Sequence, residues 1–88
     1  MTVYVDDMNA EFKPKHRPGR KYILSHMIAD TDEELHAMAR KLELPSSAWD
    51  KDHYDISKTK KELALQYGAE QITWRQAGAM MFLKRSGK

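Results

Sequence analysis

Three of the four histidines and several aspartates are the residues of this chain best suited to metal binding or acid–base chemistry. Cysteine is absent from the 88 residues. A metal site would therefore have to be built from imidazole and carboxylate groups, the ligand set of Zn²⁺, Mn²⁺ or Fe²⁺. The candidate binding residues are Asp6, Asp7, His26, His36, His53, Asp55 and Lys60, with Asp30 next to them in rank. Five of these are candidate metal ligands, with Zn²⁺, Mn²⁺ or Mg²⁺ as the ion: Asp6, His26, His36, His53 and Asp55.

No catalytic signature narrows this chemistry further, since the chain lacks a glycine-rich phosphate loop, an HExxH helix and a nucleophile elbow. Three hypotheses follow, of which the first is the leading one and the other two are alternatives. The site binds a phosphate-bearing ligand such as a nucleotide, or it is the metal centre of a phosphodiesterase or nuclease, with a histidine as general acid or base. In the third, the protein binds no ligand, its histidines are structural, and it serves protein–protein interaction. Catalysis is therefore left open.

A basic loop is the second functional feature of the sequence. Residues 13–21 carry five fixed positive charges around Pro14, Pro18 and Gly19, which break regular structure. Such a loop could lie over the phosphates of a nucleotide or a nucleic acid. The alternative is a solvated mobile loop over about residues 9–21, which we favour because no aromatic residue interleaves the charges.

The elements that must position these residues begin with a short strand at Val3–Val5, which the two aspartates follow. A second strand is predicted at residues 22–29. Thr31 and Glu34 form a capping box for a helix that runs to about Leu42. Its apolar stripe is Leu35, Met38, Ala39 and Leu42.

The second half of the chain repeats this alternation. A short strand around Tyr54 and Ile56 leads to a helix that ends at Gly68, with Leu63, Ala64 and Tyr67 facing inward and Lys60 beside them. A brief strand at residues 69–72 precedes a third helix from Trp74 to about Lys84. Its predicted buried residues are Trp74, Ala77, Gly78 and Met81.

Alternating strands and helices predict one α/β domain over residues 1–88, with a small, mostly parallel sheet of three to four strands covered by three helices. Met80 and Leu83 would remain exposed on the third helix, which suggests a homodimer through it. We expect residues 85–88 to form a frayed tail. The acidic start and the lack of a long apolar run predict a cytoplasmic protein without a membrane segment, and the net charge of +2 is mild.

The sequence resembles domain of unknown function 4031, a family of short uncharacterised bacterial and bacteriophage proteins. The resemblance covers nearly the whole chain. It rests on the YVDD opening at residues 4–7, HMIADT at residues 26–31 and HYD at residues 53–55, supported by Lys60 and residues 72–76. It implies a bacterial or phage origin and no established activity, and the histidine and aspartate candidates fall within its motifs. The longer, more basic loop at 13–21 departs from the family pattern.

Overall fold

The computed structural model describes residues 2–16 and 18–86. It contains three helices and a six-stranded sheet. The strands are β1 (Val3–Val5), β2 (Ala10–Phe12), β3 (Tyr22–Ala29), β4 (Trp49–Asp50), β5 (His53–Ser57) and β6 (Glu70–Gln71). The helices are α1 (Asp32–Lys41), α2 (Lys58–Gln66) and α3 (Trp74–Ser86), and a 3₁₀ turn spans Ser46–Ala48.

The sheet is mostly antiparallel, so the predicted mostly parallel sheet of three to four strands is wrong. The strand order is β4-β5-β3-β1-β6, with β2 paired to the first half of β3. Among the strands of the described residues, only β1 and β6 run parallel. The physical reason is the connection from β1 to β3, whose described residues form no crossover helix. Parallel neighbours need such a crossover, whereas β2 and β3, on either side of residues 13–21, pair antiparallel.

Helix ends follow the predicted local chemistry. The Thr31 hydroxyl accepts from the Glu34 backbone N–H at 3.2 Å at the start of α1. Thr73 and Gln76 form the same motif at α3, and Ser57 caps α2 through the backbone N–H of Lys60. Each such cap contributes about 1 kcal/mol to helix stability.

Two faces of the sheet carry different residues because strand side chains alternate. The first, here called the helix-pair face, is covered by α1 and α2. Its buried core includes Val3, Val5, Met27, Ala29, Leu35, Ala39, Leu42, Tyr54, Ile56 and Ala64. The opposite face, here called the α3 face, carries Tyr4, His26, Ile28, His53 and Asp55 and packs against α3.

The inward faces of two helices differ from the prediction. In α3 only Ala77 is buried, Trp74 is 54% exposed, and Gly78 lies at the surface. In α2, Ala64 is buried as predicted, but Tyr67 is exposed and Lys61 is buried in its place. Lys61 is accommodated because its Nζ donates to Asn9 Oδ1 at 3.2 Å. The spacing of apolar residues within a helix gives no information about a polar partner on a distant loop.

Three other predictions concern self-association through α3, the C-terminal tail and the absence of a membrane segment. Leu83 is exposed as expected, whereas Met80 is partly buried, so self-association through α3 stays a prediction. Residues 85 and 86 belong to α3, while residues 87 and 88 of the predicted tail, like Arg17 of the basic loop, lie outside the described residues. Among residues 2–16 and 18–86, no helix combines the length and apolar character needed to cross a bilayer.

Candidate metal centre

His26 is oriented by a buried carboxylate. Asp6, fully buried where β1 ends, holds its Oδ2 2.7 Å from His26 Nδ1. Its Oδ1 accepts the backbone N–H groups of His26 at 2.9 Å and of Met8 at 3.2 Å. Because Nδ1 is engaged by the carboxylate, Nε2 is the ring nitrogen left to bind another group.

The same contacts shift the pKa values of both partners. Burial would raise the pKa of Asp6, but the hydrogen bonds from His26 and Met8 outweigh it and the pKa is lowered. The hydrogen bond to Asp6 raises the pKa of His26, against the opposing effect of burial. The pair is therefore a carboxylate held in its ionised form beside an imidazole.

His53 has an equivalent arrangement at the first residue of β5. Its Nδ1 lies 2.7 Å from Asp52 Oδ1, and both side chains are 8% exposed. Asp52 in turn accepts from Arg85 Nε of α3 at 2.7 Å. Burial would raise the pKa of Asp52, but the hydrogen bonds from Arg85 and His53 lower it, and the pKa of Arg85 is raised by the same contact. His53 therefore also presents Nε2 as its available nitrogen.

The two imidazoles and Asp55 converge on the α3 face. His26 lies directly opposite Asp55 across the β3–β5 pair, and the His26 and His53 ring centroids are 4.8 Å apart at an interplanar angle of 81°. His53 Nε2 is 3.4 Å from Asp55 Oδ1. One ligand atom from each of these three residues lies within 4.8 Å of the others. Ligands about 2 Å from a tetrahedral Zn²⁺ lie about 3.3 Å apart, so the ligand atoms would have to move together by up to about 1.5 Å to hold one ion.

The cluster has a further carboxylate nearby, that of Asp50, and one side that is open to solvent. Asp50, paired with His53 across the β4–β5 turn, places Oδ2 3.9 Å from His53 Nε2. The side chain of His26 is 21% exposed and that of Asp55 is 41% exposed. Water or a ligand can therefore approach the cluster from the Asp55 side. Three protein ligands with an open position is the arrangement of catalytic rather than structural zinc sites.

His36 does not join this cluster. It projects from α1 on the helix-pair face, where Nδ1 lies 2.7 Å from the hydroxyl of Tyr54. Its ring centroid is 4.7 Å from that of Trp49, and Trp49 and Tyr54 also pack together at 5.2 Å. Tyr54 points away from His53 and Asp55 because it alternates with them along β5. The structure therefore places His36 in an aromatic cluster at the edge of the core.

Three other candidates make contacts away from the cluster. Asp7 Oδ1 accepts the backbone N–H of Trp74 at 2.7 Å and so caps α3. Asp30 accepts from the Tyr4 hydroxyl at 3.0 Å. Lys60 Nζ donates to the carbonyl of Leu42 at 2.7 Å, at the end of α1. A cation near the exposed carbonyls of a helix terminus is electrostatically favourable.

Sequence reasoning missed Asp52, Asp50 and Arg85. The sequence does contain a signal for Asp52, since an aspartate directly precedes His53, but adjacent residues in a regular strand point to opposite faces. Only the tight turn between β4 and β5 lets Asp52 reach the ring next to it. Arg85 comes from the far end of the chain, so no local pattern could connect it to Asp52.

Fold and site together define a small α/β protein with a two-histidine, one-carboxylate cluster whose rings are oriented by buried aspartates. The chain belongs to the family described as "Protein of unknown function (DUF4031)", whose model matches residues 3–84. No curated protein and no solved structure matches the chain. The bacterial or phage origin that the resemblance implies stays a prediction.

Proposed function

We propose that the protein binds one divalent transition-metal ion through His26, His53 and Asp55 and is a metal-dependent hydrolase. The observation that carries the proposal is that the same nitrogen of both imidazoles contacts a carboxylate. Each has Nδ1 engaged by a carboxylate at 2.7 Å, which leaves both Nε2 atoms available, and His53 Nε2 lies 3.4 Å from Asp55 Oδ1. Metal-bound histidines nearly always make such a hydrogen bond through the other nitrogen.

The ligand set favours Zn²⁺, followed by Mn²⁺ or Fe²⁺. Two imidazoles disfavour Mg²⁺, which prefers oxygen ligands. Asp6 and Asp52 keep the rings in the tautomer that offers Nε2. Asp50 is close enough to serve as a fourth ligand or as a hydrogen-bond acceptor for water.

Hydrolysis is the chemistry that an open His₂–carboxylate zinc site supports. An ion held by His26, His53 and Asp55 would lower the pKa of a bound water towards neutral pH. In phosphodiester hydrolysis the water oxygen bonds to phosphorus, the ester P–O bond breaks, and the departing oxygen takes up the proton that the water loses. No electron acceptor is needed. The phosphodiesterase or nuclease hypothesis is therefore preferred over a purely ligand-binding module.

The first test is metal content and affinity. The protein purified without chelator should contain close to one zinc, manganese or iron per chain by plasma mass spectrometry, and the metal-free form should rebind Zn²⁺ in calorimetry. His26→Ala and His53→Ala should each abolish that binding, whereas His36→Ala should not. Equal Zn²⁺ affinity in all four proteins, or none in the unmodified one, would refute the proposed centre.

The second test is turnover. Metal-loaded protein should hydrolyse bis(p-nitrophenyl) phosphate, with activity lost in EDTA and restored by the metal found in the first test. Metal binding without hydrolysis of this phosphodiester would reduce the proposal to a metal-binding role.

A further inference from the structure

A cavity lies beside Asp52, the residue that contacts His53 Nδ1. It has a volume of about 550 Å³ and is lined by Asp32, Lys51, Asp52, Lys84 and Arg85. Asp52 belongs both to this cavity and to the proposed metal centre, since its carboxylate holds His53 Nδ1. One imidazole ring therefore separates the cavity wall from the proposed metal position. The volume is in the range of small-molecule sites, which run from about 300 to 1,000 Å³.

The charge of this cavity favours an anion. Its two acids are already paired: Lys84 Nζ lies 3.2 Å from Asp32 Oδ1, and Arg85 Nε lies 2.7 Å from Asp52 Oδ2. Lys51 forms no ion pair with any of the described residues. The lining therefore has three cations for two carboxylates, and the surplus charge is on Lys51. Arg85 also retains N–H groups beyond the two that face Asp52.

The backbone at Lys51 supplies an independent observation. Lys51 is the first of the two residues that connect Asp50 to His53, and its φ is +60°. Glycine and asparagine adopt this conformation at lower cost and are the usual residues at such turns. Strained backbone conformations of this kind concentrate at functional sites. A lysine here is unfavourable for the turn, so its side chain is the feature that the position provides.

We propose that this cavity binds a phosphate group of the substrate other than the one hydrolysed at the metal centre, with Lys51 as the residue that recognises it and a phosphate ester of about nucleotide size as the ligand. Lys51 and Arg85 donate to phosphate oxygens, and the ligand extends past His53 towards the metal. This inference rests on the proposed function for its substrate role. The phosphate site itself depends only on the cavity and its charges.

The test uses full-length protein, with and without Zn²⁺, and calorimetric titration of adenosine 5′-monophosphate, with adenosine as the uncharged match. We expect the monophosphate to bind and adenosine not to bind. Lys51→Gly should weaken monophosphate binding at least about tenfold, because a charge-assisted contact is lost. Lys51→Arg should restore it. Lys51→Gly should retain Zn²⁺ binding and should unfold at the same urea concentration or a higher one, because glycine fits the turn.

A double variant, Lys13→Gln with Lys15→Gln, is the matched control in the basic loop and should bind the monophosphate as the unmodified protein does. The proposal is overturned if the monophosphate does not bind or if Lys51→Gly binds it normally. It is also overturned if a single-stranded oligonucleotide binds more tightly than the monophosphate and only the double variant loses that binding.

The two proposals can fail separately. Lys51-dependent monophosphate binding in a protein that takes up no metal would support the phosphate site and refute the metal centre. Zn²⁺ binding without monophosphate binding would do the reverse.

Discussion

Two histidine clusters occupy opposite faces of one sheet, and their partners differ in kind. His26 and His53 on the α3 face each have a carboxylate on Nδ1, and a third carboxylate, that of Asp55, lies near Nε2 of His53. His36 on the helix-pair face has a neutral phenol on Nδ1 and a tryptophan against its ring. The buried carboxylate on Nδ1 of each ring on the α3 face favours positive charge near that ring. The phenol and the indole around His36 contribute packing and one neutral hydrogen bond instead. The comparison shows what separates the proposed ligands from His36: Nδ1 contacts a carboxylate in His26 and His53, and a phenol in His36.

The largest expected effect is the removal of a ligand from the α3 face. His53→Ala should lower Zn²⁺ affinity by more than about 100-fold, because loss of a direct ligand exceeds the 10- to 100-fold effect of outer-shell changes. The matched variant His36→Ala should leave the affinity within about twofold and instead lower the free energy of unfolding by about 1–2 kcal/mol through lost packing and a lost hydrogen bond. Zinc titration and urea unfolding of both variants measure the contrast. A loss of affinity in His36→Ala would erase the distinction between the two faces.

A smaller effect is expected when the orienting carboxylate is neutralised. Asp52→Asn keeps the shape of the side chain but removes the charge that orients His53, so Zn²⁺ affinity should fall by about 10- to 100-fold. Asp30→Asn is a suitable control because Asp30 contacts Tyr4 and lies outside the cluster. Competition with a chromophoric chelator measures both. Unchanged affinity in Asp52→Asn would mean that its contact with His53 is incidental to metal binding.

The pH dependence of the metal-free protein also follows from the α3 face. The pKa of Asp6 and of Asp52 is lowered in the folded state. Their stabilising contribution is therefore present above the unfolded carboxyl pKa, about 3.9, and is lost as the pH falls through the folded values. The pKa of His26 is raised, so its contribution is complete below the unfolded pKa, about 6.5, and is lost as the pH rises through the folded value.

The check is urea unfolding in EDTA between pH 3 and pH 8. The free energy of unfolding should fall at the acidic end and, more gently, above pH 6.5, and Asp6→Asn should flatten both limbs. A profile of Asp6→Asn parallel to that of the unmodified protein would contradict the assignment of the Asp6–His26 pair. Circular dichroism checks that the Asp6→Asn variant is folded before the two profiles are compared.

The parts of this fold that could be predicted from the sequence are local. The capping boxes at Thr31 and Thr73 involve residues three positions apart, so the helix starts follow directly from the sequence. The direction of the strands depends on pairing between distant segments, and the three-residue strand at Ala10–Phe12 is too short to have a pattern of its own. That strand pairs antiparallel with the first half of β3, which follows the basic loop in the chain.

The site likewise has features that follow from the local sequence and others that depend on distant pairing. Strand alternation puts His53 and Asp55 on one face and Tyr54 on the other, which was readable from the sequence. That His26 lies opposite Asp55 depends on register, and register depends on the whole sheet. His36 was grouped with the other histidines because its residue type matched. The face of the sheet on which α1 packs decides its role, and no spacing within the helix encodes that.

The smallest effect we expect is on the helix-pair face. Tyr54→Phe removes the hydroxyl that lies 2.7 Å from His36 Nδ1 and keeps the ring against Trp49. One hydrogen bond is lost at a partly buried site, so the free energy of unfolding should fall by about 1 kcal/mol or less. Zn²⁺ affinity should not change, because Tyr54 points away from the neighbouring His53 and Asp55. Zinc titration and urea unfolding on one preparation measure both quantities. A weaker Zn²⁺ affinity in Tyr54→Phe would show that the two faces are coupled through β5, and the separation of ligand and structural histidines would then fail at the strand they share.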